Sequence, residues 1–371
     1  MLAPQLVLTP FQAPVSAAVV RARPKILPGS RCIVRAMAER RDPVERASDA
    51  STDLYDVSTW EERTSVDGLA VALYRLFTAS ARIVVVLLAL VLLLAIGGFA
   101  ALTTPEIGLL TALSAIPALG LAAYVYYSDA TTNEPLSLLV GTFLLGVLTA
   151  NFAAVLNGAL QQYFKALGGL GMILFFYVVV GPVEETVKLL AVRLYAYGDD
   201  RFDAVVDGAV YGAMAGLGFA FIENALYITE QLPQGGSQLE FGLGLIGAGG
   251  GITAVRALAG PGHVIYSAIA GYYLGLAKFN RENRGPIVVK GLLIAAFVHA
   301  TYNATVSIGA GLIQAFTPLS GLWAFLAYVL IYDSIFGLYL IRKIRRYQQV
   351  YRQAHTPMHD ESMRSEQTEF E

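Results

Sequence analysis

The chain has 371 residues, 56% of them hydrophobic and only 15% charged, against about 25% charged in an ordinary soluble protein. With a mean hydropathy of +0.56 this composition describes a multi-pass membrane protein, and a net charge of −2 gives no footprint for nucleic acid. A single cysteine, Cys32, excludes disulfides and cysteine-based metal sites within one chain.

Residues 1–80 are soluble in character. Met1 to Ala36 mixes Pro, Ala, Val and Arg without helical or strand periodicity, and Pro4, Pro10 and Pro14 interrupt any signal-peptide core. Composition changes at Met37 to a charged lead-in. Residues 1–36 are therefore expected to be dispensable or absent from the native product, and disordered or poorly packed. Asp67 to Ala81 fits an amphipathic helix lying on the membrane surface. An integral membrane domain is expected over 81–346 and a polar tail over 347–371.

Eight apolar runs approach the roughly 20 residues that a helix needs to cross the hydrocarbon. They fall near 82–103, 106–127, 135–157, 170–195, 204–229, 261–279, 286–312 and 319–341, so the expected fold is an all-α, polytopic membrane bundle of about eight helices. Lys and Arg in the flanks set its orientation. Arg75 and Arg82 precede the first run, Arg193 and Arg201 follow the fourth, Lys278, Arg281, Arg284 and Lys290 follow the sixth, and Arg342, Lys343, Arg345 and Arg346 follow the eighth. With eight spans all of these lie on one side, which places both termini in the cytoplasm of a cell-membrane protein. The connection Ser128 to Pro135 lies on that side without Lys or Arg. Gly235 to Gly262 is glycine-rich and apolar, and is expected to be a re-entrant or interfacial segment rather than a ninth span.

Ionised groups at membrane depth cost roughly 2.5–3.5 kcal/mol each and persist where they pair or perform a function. Glu184, Glu185 and Lys188 stand in the fourth run. On a helix Glu184 and Lys188 share a face at i,i+4, and a structural ion pair between helices is the simplest reading of that motif alone. The fifth run opens with Asp203, expected as an N-cap, and Asp207, a first-turn carboxylate favoured by the dipole. It then carries Glu223 and Asn224 deep in apolar sequence, after Gly216 and Gly218, which allow close helix approach. His263 opens the sixth run, and His299 with Asn303 one turn later sits in the seventh. His355 and His359 flank Pro357 in a charged tail and are read as solvated.

These residue types suit amide hydrolysis. Two imidazoles and a glutamate make a metal set with an open position for water. A buried glutamate serves as general base, and Asn224 or Asn303 could donate to an oxyanion. A metal-free scheme, in which a glutamate activates water directly, uses the same residues. No His-Glu-x-x-His helix, Gly-x-Ser-x-Gly elbow or phosphate loop is present.

The ordered set Glu184-Glu185-x-x-Lys188, Phe219-x-x-x-Glu223-Asn224, His263 and His299-x-x-x-Asn303 resembles the PrsW family of intramembrane proteases, distant relatives of the CAAX prenyl protease and Abi group. The resemblance spans roughly Asp53 to Arg346. It implies a membrane endopeptidase, expected to be a metallopeptidase, that cuts membrane-anchored proteins within the lipid bilayer, in signalling or membrane protein turnover. It carries Glu184 and Glu185 over as essential carboxylates, with Glu223, His263 and His299 completing the site. For the metal, zinc on His263, His299 and Glu184 is the expected set. Competing readings are a proton-coupled transporter, for which no repeat between the two halves is seen, and a non-catalytic relative that binds membrane helices or prenylated proteins. Nothing in the sequence sets the oligomeric state.

Overall fold

Lipid offers the backbone no hydrogen-bond partners, so apolar runs of this length satisfy their N–H and C=O groups internally as helices. The computed structural model describes residue 44 and residues 52–129, 131, 134–231 and 243–355. Among them there is no strand beyond an isolated bridge between Tyr55 and Thr59. In chain order the helices are α1 (Ser65–Ala95), α2 (Gly98–Thr103), α3 (Pro105–Tyr127), α4 (Leu136–Lys165), α5 (Gly168–Leu194), α6 (Val205–Gln231), α7 (Leu243–Phe279), α8 (Arg284–Phe316) and α9 (Leu322–His355). Among the described residues, α1, α3, α4, α5, α6, α8 and α9 are long and apolar enough to cross a membrane.

The chain divides into one unit ending at Phe77 and a second starting at Thr78. In the first, Asp67 builds the start of α1. Its carboxylate accepts the Thr64 N–H at 2.7 Å while Thr64 Oγ1 accepts the Asp67 N–H at 3.2 Å, a reciprocal cap that satisfies orphan donors of the first turn. Trp60 Nε1 and the Tyr55 hydroxyl also donate to this carboxylate. The surface helix expected over 67–81 and the first span are one continuous helix. It ends before Gly97, whose φ of +79° a glycine adopts without strain, so the span lies closer to the amino end than 82–103.

The second unit is organised around α6, which packs against α3, α4, α5 and α7. Its apolar window is 83% buried, against 33% for α3. A glycine stripe sets its closest neighbour. A Cβ added at Gly208, Gly212 or Gly216 would lie 2.2, 2.3 or 2.4 Å from the carbonyl oxygens of Gly271, Ser267 and His263. Small residues every fourth position let α6 and α7 meet backbone to backbone. Gly181 does the same for α5 against α8, where a Cβ would stand 2.5 Å from the Ala296 carbonyl oxygen.

Two sequence expectations need correction here. The glycine-rich segment is not re-entrant where it is described. From Leu243 onward it is the first half of α7, and Pro261 lies inside that helix. Gly and Pro are tolerated in helices at membrane depth, where the backbone has no water to turn to. Residues 235–242 lie outside the described residues, as do residues 1–36 and His359. Asp203 is also not the cap of α6. Asp207 Oδ2 instead accepts the N–H groups of Asp203 and Ala204, both at 2.8 Å, from within the first turn.

Candidate active site

Pro182 has no N–H to offer the ladder, and its ring clashes with the preceding turn. The backbone answers with a π-helical turn, Phe176–Val180, immediately before the Gly181–Leu194 segment of α5. Such widened turns recur at functional sites. This one precedes Glu184, Glu185 and Lys188, all three of them buried.

The two glutamates do different things. Lys188 Nζ is 2.7 Å from Glu185 Oε1 and 3.9 Å from Glu184 Oε2. The ammonium therefore pairs chiefly at i,i+3, and the i,i+4 pair expected from spacing is the weaker contact. Glu185 also meets His299 Nδ1 at 2.9 Å and Ser267 Oγ at 3.4 Å, so its carboxylate is consumed by the protein. Glu184 is held through one oxygen by Asn157 Nδ2 at 3.0 Å. Its other oxygen, Oε2, is buried without a hydrogen-bond partner and lies 3.6 Å from His299 Nε2.

From α6, half-buried Glu223 accepts from Arg256 Nη2 and lies 3.0 Å from His263 Nε2. The opposite nitrogen of that ring, Nδ1, is 2.9 Å from Lys188 Nζ. The two imidazoles stand edge to face with centroids 5.1 Å apart, and Tyr266 stacks on His299 at 5.3 Å. A cavity of about 550 Å³ is lined by Glu184, Glu223, His263, His299, Asn303 and Arg256, among others. Asn303 makes no side-chain hydrogen bond among the described residues. Glu185 and Asn224 do not line the cavity. Asn224 donates to Ser114 Oγ at 2.9 Å and accepts from Arg256 Nε at 2.8 Å, so it is a brace rather than a free amide.

Helices α5 to α8 thus bring Glu184, Glu223, His263, His299 and Asn303 to one chamber, with Glu185 and Lys188 directly behind it. Sequence reasoning missed Asn157 and Arg256. Asn157 closes the third apolar run, with no Glu, Asp, Lys, Arg or His within that run to single it out. Arg256 was visible as a lone charge in an apolar, glycine-rich stretch, a signal that intramembrane ionisable residues carry function.

The donor set fits a metal ion. One donor atom each from Glu184, His263 and His299 lie within 4.8 Å of one another. Glu184 Oε2, 3.6 Å from His299 Nε2, has no hydrogen-bond partner. Glu185 accepting from Nδ1–H of His299 leaves Nε2 bare, the carboxylate–imidazole arrangement that orients metal-binding histidines. His263 fits less simply, because an ammonium at Nδ1 places the ring proton on Nε2. That proton must leave before the nitrogen ligates, as metal binding generally requires.

A sequence model of the PrsW family intramembrane metalloproteases matches residues 134–335. The chain is 30% identical to Protease PrsW of Bacillus subtilis over 189 residues, covering 50% of this chain and 78% of that one. It is 31% identical to Protease PrsW of Geobacillus kaustophilus over 191 residues (50% and 75%) and 31% identical to that of Halalkalibacterium halodurans over 197 (53% and 82%). No solved structure matches. The order of motifs, their convergence in one intramembrane chamber and these similarities lead to one conclusion: the chain belongs to the PrsW family and is a multi-pass intramembrane metalloprotease.

Proposed function

We propose that this protease hydrolyses a peptide bond of membrane-anchored proteins in the chamber between α5 and α8, with zinc held by Glu184, His263 and His299. The observation that carries the assignment is the buried, unpartnered Glu184 Oε2 beside His299 Nε2. When bound, zinc lowers the pKa of a coordinated water to about 7 and polarises a carbonyl. Glu223, paired with Arg256, is placed to accept the proton of the attacking water and return it to the leaving amine. Asn303 donates its amide to the developing oxyanion. Glu185 fixes the His299 tautomer, and Lys188 neutralises Glu185. A substrate segment meets these groups in a chamber enclosed by helices, where low dielectric strengthens each polar contact.

A second assignment for His263 is favoured by the Lys188 contact at Nδ1. In it the ring donates Nε2–H to Glu223 and orients that carboxylate without ligating. The lysine and arginine distribution supports both termini facing the cytoplasm, and a role in signalling or membrane protein turnover follows from a membrane-anchored substrate.

The test is cleavage of a membrane-anchored reporter by purified protein, with bound metal counted in each variant. Chelation is expected to abolish cleavage and Zn²⁺ to restore it. Glu184→Gln and His299→Ala lose metal and activity together, whereas Glu223→Gln keeps metal and loses about 10²–10⁴-fold in turnover. His263→Ala losing metal supports ligation, and His263→Ala keeping it supports orientation of Glu223. Full activity in Glu184→Gln defeats the proposal.

A further inference from the structure

A second group of carboxylates lies where α3, α4 and α6 begin or end. Asp129 follows α3, Glu134 precedes α4, and Asp207 stands in the first turn of α6. One oxygen from each lies within 4.8 Å of the other two. Sixteen residues of α6 separate Asp207 from Glu223, about 24 Å at 1.5 Å per residue, so this group is no part of the chamber.

Each carboxylate is anchored through one oxygen. Asp129 Oδ1 accepts from the N–H and hydroxyl of Thr131 at 2.8 and 2.7 Å. Glu134 Oε2 accepts from the Tyr211 hydroxyl, and Asp207 Oδ2 from the two N–H groups that precede α6. The remaining oxygens, Asp129 Oδ2, Glu134 Oε1 and Asp207 Oδ1, are all buried with no hydrogen-bond partner. Glu134 is 3% exposed and Asp207 0%. No ion pair among the described residues reaches any of the three. The nearby Lys278 ammonium is bonded to the carbonyl oxygens of Tyr197 and Asp199 at 3.0 and 3.1 Å. Three anchored carboxyl groups with orphaned oxygens and no ion-paired protein cation make a site with room for a counter-charge.

We propose that Asp129, Glu134 and Asp207 bind one hard divalent cation, of the magnesium or calcium class, which ties the ends of α3, α4 and α6 together. The donors are all oxygen, with no imidazole or thiolate among them, which suits these ions and not zinc. The site also gives a reason for the one connection on its side of the bundle, Ser128 to Pro135, to carry no Lys or Arg. A cation there would compete with the ion.

The test uses the full chain in detergent micelles, stripped with chelator and titrated with MgCl₂, CaCl₂ or MnCl₂, reading bound Mn²⁺ by electron paramagnetic resonance and Tm with each ion. Asp129→Asn and Glu134→Gln keep their anchoring acceptor and remove a charge. Wild type is expected to bind Mn²⁺ at this site, with at least one of the three ions raising Tm. Each variant loses at least tenfold in Mn²⁺ affinity, yet in chelator melts no lower than wild type, because it carries less repulsion. His299→Ala keeps the site, which separates this result from the zinc chamber. No rise in Tm with any of the three ions, or the same rise in Glu134→Gln as in wild type, overturns the proposal. So does loss of the site in His299→Ala.

Discussion

Two groups of buried carboxylates among the described residues are compensated in opposite ways. At the chamber Arg256 pairs with Glu223, and directly behind it Lys188 pairs with Glu185, so two of three glutamates have a close cation supplied by the fold. What remains is a single orphaned oxygen on Glu184. At the ends of α3, α4 and α6, three carboxylates share hydrogen bonds with the protein but no ion pair. Charge that the fold neutralises away from the cavity, as at Glu185, is structural or orienting, whereas Glu223 is neutralised yet still lines the cavity. Buried charge that the fold leaves open marks where something from outside enters. By that criterion neighbouring Glu184 and Glu185 have separate jobs despite their identical chemistry.

The sharpest way to break this contrast is to neutralise each glutamate in turn. Glu185→Gln leaves the Lys188 ammonium buried without its close counter-charge, and breaking such a pair costs about 3–5 kcal/mol. Glu184→Gln keeps the Asn157 bond and removes a charge whose contact with Lys188 is the longer one, so its thermal midpoint should stay near wild type while activity is lost. Pairing Glu185→Gln with Lys188→Met should recover much of the lost stability, a coupling that a double-mutant cycle measures. Equal destabilisation by both single glutamine variants would contradict the division of roles.

A smaller effect is expected from Gly216→Ala. Its methyl would meet the His263 carbonyl oxygen at 2.4 Å, and forcing the helices apart costs about 1–3 kcal/mol. Displacing His263 by about 1 Å should lower cleavage by as much as 10²-fold. A fall in stability with unchanged cleavage would show that His263 needs no such placement. Smallest is Tyr211→Phe, which deletes the donor to Glu134 and should cost about 1 kcal/mol in Tm scans without touching the chamber's metal content.

Much of this was legible in the sequence, and the misses share causes. Apolar length gave the helices, because lipid permits nothing else, and intramembrane Glu and His marked the chamber because their burial is costly. Spacing alone left Lys188 ambiguous, since i,i+3 and i,i+4 partners are both in reach on a helix and only His299 and Ser267, more than 80 residues away along the chain, fix where Glu185 points. The start of α7 read as broken because Gly and Pro end helices in water, whereas at membrane depth the backbone has no water to turn to. Asp129 and Glu134 looked like ordinary loop residues. Their meaning depends on Asp207, which comes beside them only when α6 packs against α3 and α4.

The central claim is that Glu184, His263 and His299 hold the metal, and zinc K-edge X-ray absorption on the zinc-loaded protein tests it most directly. The account predicts a sulfur-free shell with two imidazole nitrogens at about 2.0–2.1 Å and oxygen at about 2.0–2.2 Å, falling to one imidazole in His263→Ala if zinc is retained. A shell without imidazole scattering, or one unchanged in Glu184→Gln and His299→Ala, would contradict it.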